Sequence, residues 1–185
     1  MARPLSDFNA QQQEFLTCKP SRLIMLAIED LIRCETEKDK FGINMSIWVE
    51  ERKDDTGNKR CYVCLAGSCL AQRFEVFDYY GSSEDLEETI IDGHAEEVEK
   101  RLEALNCFRT GEVFYGLRNM GIVTEDPQMS AIIHALDKKF DTCYDDEDDC
   151  GLMVPYHEPS ANPEANAKFK EQLAEIATEL AKIGL

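Results

Sequence analysis

Three cysteines in one short stretch are the residues of this chain best spaced to do chemistry. From Arg60 to Phe74 the sequence reads R-C-Y-V-C-L-A-G-S-C-L-A-Q-R-F, so Cys61, Cys64 and Cys69 surround the small-residue cluster Ala66-Gly67-Ser68. Cys61-x-x-Cys64 has the spacing of half a zinc knuckle, and Cys69 would be a third sulfur. It also has the spacing of a thiol–disulfide site at a strand-to-helix turn. Neither template is completed. No second C-x-x-C follows, the three histidines lie far off in sequence, and the flanking chain does not alternate strands and helices as a thioredoxin-like fold does. Free cysteine is among the most buried residue types. The residues are therefore read as small core hydrophobes, with no metal and no cofactor expected.

Other candidate chemistry is sparser. Asp146, Asp148, Cys150 and Gly151 fall at positions 1, 3, 5 and 6 of a calcium loop. That register puts His157 where the bidentate glutamate belongs, and sulfur is the wrong ligand for calcium. The run Asp141–Asp149 is read as a solvated acidic loop. His94 stands beside Glu96 and Glu97, His134 lies in mid-helix, and His157 lies in a proline-rich loop. No G-x-S-x-G, Walker or dinucleotide motif is present. No catalytic residue is assigned.

The elements that must position these residues follow from periodicity. Residues 1–19 are polar and predict a loose arm or a short helix. Leu23, Ile24, Ala27, Ile28, Leu31 and Ile32 recur at helical spacing after Pro20-Ser21, and Gly42 is expected to stop that helix. Ile43, Met45, Ile47 and Val49 alternate as a strand, Asp54–Asn58 is turn chemistry, and Arg60–Val63 returns, so a β-hairpin is predicted near 43–63. From Cys64 the spacing turns helical. A glycine inside that helix costs roughly 1 kcal/mol against alanine, which predicts close approach of a neighbouring backbone at Gly67.

Further on, Ser82 and Ser83 cap a short helix through Ile91. Ala95, Val98, Leu102 and Leu105 mark another, to about Cys107, and Thr110 caps a third carrying Val113, Phe114 and Leu117, ended by Gly121. Asp126-Pro127 starts a fourth through Phe140. Residues 152–162 read as a linker to a C-terminal helix over 163–183, whose Phe169, Leu173, Ile176, Leu180 and Ile183 suit core packing or a seam with a second copy. The fold expected is a single α+β domain over 1–185, predominantly helical: the hairpin packed with about six helices around a central helix starting near Cys64.

The helix, the Met45-x-x-Trp48 segment, the turn and C-x-V-C-L-A-G from Cys61 to Gly67 resemble a group of small accessory proteins encoded by tailed phages. Leu102–Gly111, L-E-A-L-N-C-F-R-T-G, is similar to a later segment of the same group. Val49 stands where those proteins often have histidine. No activity is established for the group, so no catalytic residue carries over. The resemblance implies a phage origin and action in the cytoplasm of a bacterial host.

Charge narrows the function classes. Thirty-seven acids against twenty bases leave −17, which argues against direct binding to nucleic acid or an anionic membrane and allows a basic partner. The longest apolar run, Leu23–Ile28, is too short to span a bilayer, and the N-terminus predicts no leader. Glu75–Glu99 contains ten acids and neither lysine nor arginine. Glu84, Asp85, Glu87, Glu88, Glu96, Glu97 and Glu99 are the candidate partner-binding residues. The function expected is a non-enzymatic interaction protein that inhibits a basic host protein through an acidic, DNA-mimicking surface. The alternative is a small metal- or thiol-dependent enzyme centred on Cys61, Cys64 and Cys69.

Overall fold

The computed structural model describes residues 4–53, 56–81, 86, 94–140 and 163–185. The helix expected through Ile91, the acidic run with its calcium register and the linker 152–162 lie outside these residues, apart from Leu86, which is helical and buried. Among the described residues the architecture is the expected one: a mostly helical α+β fold with a small three-stranded sheet.

The N-terminal segment forms a short helix, α1 (Ala10–Thr17). Asn9 and Gln12 close a reciprocal capping box, which satisfies two backbone donors at its start. Phe15 and Leu16 bury its inner face. Helix α2 (Pro20–Thr36) follows with Pro20 in the first turn, where its missing N–H leaves nothing unpaired. Leu23, Ile24, Ala27, Ile28 and Leu31 are buried, but Ile32, expected on the same stripe, is 45% exposed.

Two boundaries differ from expectation, each for a local reason. Helix α2 ends at Thr36 with Glu37 as its C-cap, and Gly42 belongs instead to strand β1 (Phe41–Ile43). There a Cβ would come within 2.6 Å of the Tyr62 ring, so the strand needs glycine to lie beneath it. The strand read as continuous from Ile43 is broken at residues 44–48. Asn44 accepts the Ser46 N–H at 2.9 Å and turns the chain. The halves on either side of that turn pair with opposite edges of one strand. β1 runs parallel to β3 (Lys59–Val63), and β2 (Val49–Lys53) runs antiparallel to it, in the order β1-β3-β2.

Helix α3 (Leu65–Cys69) is the buried centre, with all five residues buried. It runs on as a wider π-helical turn, Leu70–Phe74, that ends at Glu75 in the left-handed region (φ 56°). The approach expected at Gly67 is present: a Cβ there would sit 1.8 Å from the carbonyl oxygen of Trp48.

Helix α4 (Ala95–Arg109) buries Val98, Leu102 and Leu105, and α5 (Val113–Asn119) buries Val113 and Leu117. Thr110 does not cap α5, since Glu112 holds that position. The Thr110 hydroxyl instead donates to Cys107 O at 3.0 Å and closes α4. Gly121 ends α5, and Asp126 caps α6 (Pro127–Phe140) by accepting two backbone N–H groups at 2.8 Å. Helix α7 (Pro163–Lys182) buries Phe169, Leu173, Ile176 and Leu180 and packs along α2. Four of the five stripe residues are thus buried within the chain, and Ile183 is half-buried. No helix among the described residues is long and apolar enough to cross a membrane.

Candidate functional site

The three cysteines of the central stretch occupy three different surroundings. Cys61 lies on β3, with its thiol 3.9 Å from Phe77 O and near Cys34. Cys64 is the N-cap of α3, and its sulfur accepts the Gly67 N–H at 3.4 Å. Cys69 is one helical turn further on and faces the carboxylate of Asp30. Strand alternation carries Cys61 to one face, whereas the strand-to-helix turn carries Cys64 to another. Among the described residues no group of three histidine, cysteine or acidic side chains is placed to hold a metal ion.

Burial also makes these thiols poor nucleophiles. Desolvation pushes Cys61 and Cys34 up to about 12, raises Cys64, and raises Cys69 well above the usual thiol range. Cys107 is raised to about 11 by burial and by Glu112 and Glu103. The pH consequence has a definite sign. An unfolded thiol ionises near 9 and a folded one near 12, so above pH 9 the native state holds protons that the unfolded chain releases. Stability is then full below pH 9 and is lost as pH rises toward 12. Each such thiol contributes a slope of roughly 1.4 kcal/mol per pH unit. Cys34 and Cys61 together should remove roughly 2–3 kcal/mol by pH 10. Urea unfolding at pH 8 and pH 10 measures this, and equal midpoints would show that the thiols are hydrated.

Beneath the thiols lies a charge pair that the periodicity argument passes over. Asp30 is fully buried on the inner face of α2, and Arg73 on the π-helical turn is 4% exposed. Arg73 Nε lies 2.5 Å from Asp30 Oδ2, and its Nη2 lies 3.2 Å from Oδ1. Arg33 adds a contact at 3.3 Å from the rim. Arg73 Nη1 also donates to Gln11 O at 3.1 Å, and Gln12 Nε2 donates to Arg73 O at 2.9 Å, so α1 is tied to the same centre. Burial pushes Asp30 up and Arg73 pulls it back, with a net rise. The signal for this pair was in the sequence: an acid at position 30 stands among Ala27, Leu31 and Cys34, on the stripe every other residue of which is apolar. The arrangement clamps α1, α2 and the π turn together. Asp30 and Arg73 are buried, with Arg33 at the rim, and the geometry serves packing.

The acidic residues proposed to meet a partner are divided. Glu84, Asp85, Glu87 and Glu88 lie outside the described residues. Glu96, Glu97 and Glu99 stand on the first turns of α4. Glu96 is paired with Lys100 at 2.7 Å, and Glu97 with Arg101 at 2.9 Å. Their cations come from one turn further along the helix, beyond the window that held none. Glu99 stands near Glu103, whose carboxyl is raised by burial and then by Glu99. His94 packs edge-on against Phe8, with ring centroids 5.1 Å apart.

The charge is uneven along the chain. Of the 37 acids, 14 fall outside the described residues, against one of the 20 bases. The described body therefore carries 23 acids and 19 bases and is close to balanced. Compared with family models, with curated proteins and with solved structures, this chain finds no match.

Proposed function

We propose that the chain is a non-enzymatic interaction protein whose concentrated carboxylates engage a basic protein. The observation that carries this reading is the charge distribution along the chain: short stretches, 84–92 and 141–149, of almost unrelieved negative charge, while the described residues carry 23 acids against 19 bases. Duplex DNA presents about one charge per 1.7 Å of its axis, and a row of carboxylates that stands in for phosphates must be comparably dense. Glu84, Asp85, Glu87 and Glu88 supply that density, and Glu99 extends it on α4. Glu96 and Glu97 contribute less, because Lys100 and Arg101 neutralise them. With the likeness to tailed-phage accessory proteins, the partner is a host protein of defence or nucleic-acid handling, and binding inhibits it. The high thiol pKa values and the separate surroundings of Cys61, Cys64 and Cys69 favour this reading over a thiol-centred enzyme.

The test is capture from a bacterial lysate at low and high salt, with the native chain and with a variant carrying Gln or Asn at 84, 85, 87 and 88. Association is expected to weaken steeply with salt, because exposed charges are screened beyond about 8–10 Å at physiological ionic strength. The variant should keep its melting temperature and lose the partner. A partner held equally well by both proteins at high salt would end the mimicry reading.

A further inference from the structure

The sheet, the end of α2 and the start of α7 line a cleft of about 420 Å³, within the range that encloses a small organic ligand. Its chemistry is unlike that of the chain as a whole. One wall is the ring of Tyr62, which lies over Gly42 and is flanked by the guanidinium groups of Arg60 and Arg52, 5.6 and 5.7 Å from its centroid. Arg60 is held in place by its Nε, which donates to Phe41 O at 3.0 Å. Among the described residues its terminal nitrogens meet no acceptor. Lys38 stands exposed at the mouth, and among the described residues no carboxylate pairs with it.

The facing wall comes from α7 and the end of α2. Glu35 is consumed there: Lys170 Nζ lies 2.5 Å from one of its oxygens, and Asn166 Nδ2 donates to the other at 2.6 Å. Asn166 is 9% exposed, and its side-chain oxygen has no donor among the described residues. The cleft therefore offers a flat aromatic wall on the sheet, two cations that no carboxylate pairs with among the described residues, and a facing wall on α7. Ile43 and Ala167 line the apolar space between.

We propose that this cleft binds a small aromatic anion, of the mononucleotide class. The aromatic ring lies against Tyr62, and the phosphate sits between Arg60 and Lys38, where charge-assisted hydrogen bonds are strongest. The site involves none of the acidic residues of the protein-binding reading, and it stands or falls separately from it.

Titration calorimetry on the full chain at low salt tests this with AMP, adenosine and inorganic phosphate. AMP is expected to bind saturably at one per chain. Adenosine and phosphate should each bind at least about tenfold more weakly, since each lacks half of the contacts. Arg60→Gln and Lys38→Gln should each weaken AMP by about tenfold. Glu171→Gln, exposed on α7, should leave it unchanged. Lys38 is exposed, so its variant keeps the fold whatever happens at Arg60. Absence of saturable AMP binding at millimolar concentration overturns the proposal. So does AMP affinity indifferent to both cation variants, or inorganic phosphate that binds as tightly as AMP.

Discussion

Alanine at position 67 is expected to lower the melting temperature by about 6–12 °C, and leucine there to prevent folding. A Cβ at Gly67 would lie 1.8 Å from Trp48 O, 2.7 Å from Trp48 C and 3.0 Å from Val49 Cγ2. The first two are backbone atoms, so no side-chain rotation relieves the overlap. The Trp48 carbonyl is also fixed from another direction, because it accepts the Cys64 N–H at 3.1 Å. Moving it would break the junction between β3 and α3 and pull β2 away from the core. Overpacking of a core costs about 1–3 kcal/mol and more where the backbone must move. For a chain of this size each kcal/mol is worth about 2–4 °C, so the expected shift corresponds to a loss of about 3 kcal/mol. Gly57→Asn is the control. Gly57 has φ 84°, which asparagine tolerates, and nothing lies within 4 Å of its added Cβ. A Gly67→Ala protein that melts with the native one would show that α3 does not press on the Trp48 carbonyl.

The second large effect is expected at the buried charge pair. Arg73→Met leaves the Asp30 carboxylate in the core without its main partner and should cost about 3–5 kcal/mol at pH 7. The double variant Asp30→Leu/Arg73→Met should recover most of that loss, because two apolar side chains need no partner there. The pH dependence separates this from lost packing. Burial already raises Asp30 above its ordinary 3.8, and removing Arg73 raises it further. A carboxyl raised in the folded state stabilises the fold below its unfolded pKa, and that contribution is lost as pH rises through the folded pKa. The penalty of Arg73→Met should therefore shrink toward pH 4, where Asp30 is protonated, and be full at pH 7. Chemical denaturation at both values measures it. A penalty independent of pH, with no recovery in the double variant, would assign the effect to the shape of Arg73 and not its charge.

Much of this fold was legible because it rests on local rules. Helices α2, α6 and α7 announce themselves by apolar stripes and by Pro or Asp-Pro at their starts, and the structure begins them at Pro20, Pro127 and Pro163. The small residue at position 67 implied a backbone neighbour because glycine in a helix needs a reason. What the sequence alone determined, beyond these elements, is the acidic excess and its concentration in short stretches, since charge is a count that no packing alters.

Tertiary structure alone decided which residues meet. The chain from Ile43 to Glu50 alternates like one strand, yet it splits at Asn44, because both edges of β3 compete for it and a side-chain turn is cheaper than leaving either edge bare. Cys61 and Cys64 are three apart in sequence but end in different surroundings, because the strand-to-helix turn falls between them. The cations of α4 that neutralise Glu96 and Glu97 lie four residues on, a distance that becomes contact only once the helix forms. Asp30 finds Arg73 across 43 residues, and Arg60 and Tyr62 face Asn166 across more than a hundred. Hydrophobic spacing records which face of an element is buried. It does not record which element buries it, and pairs and clefts depend on that second choice.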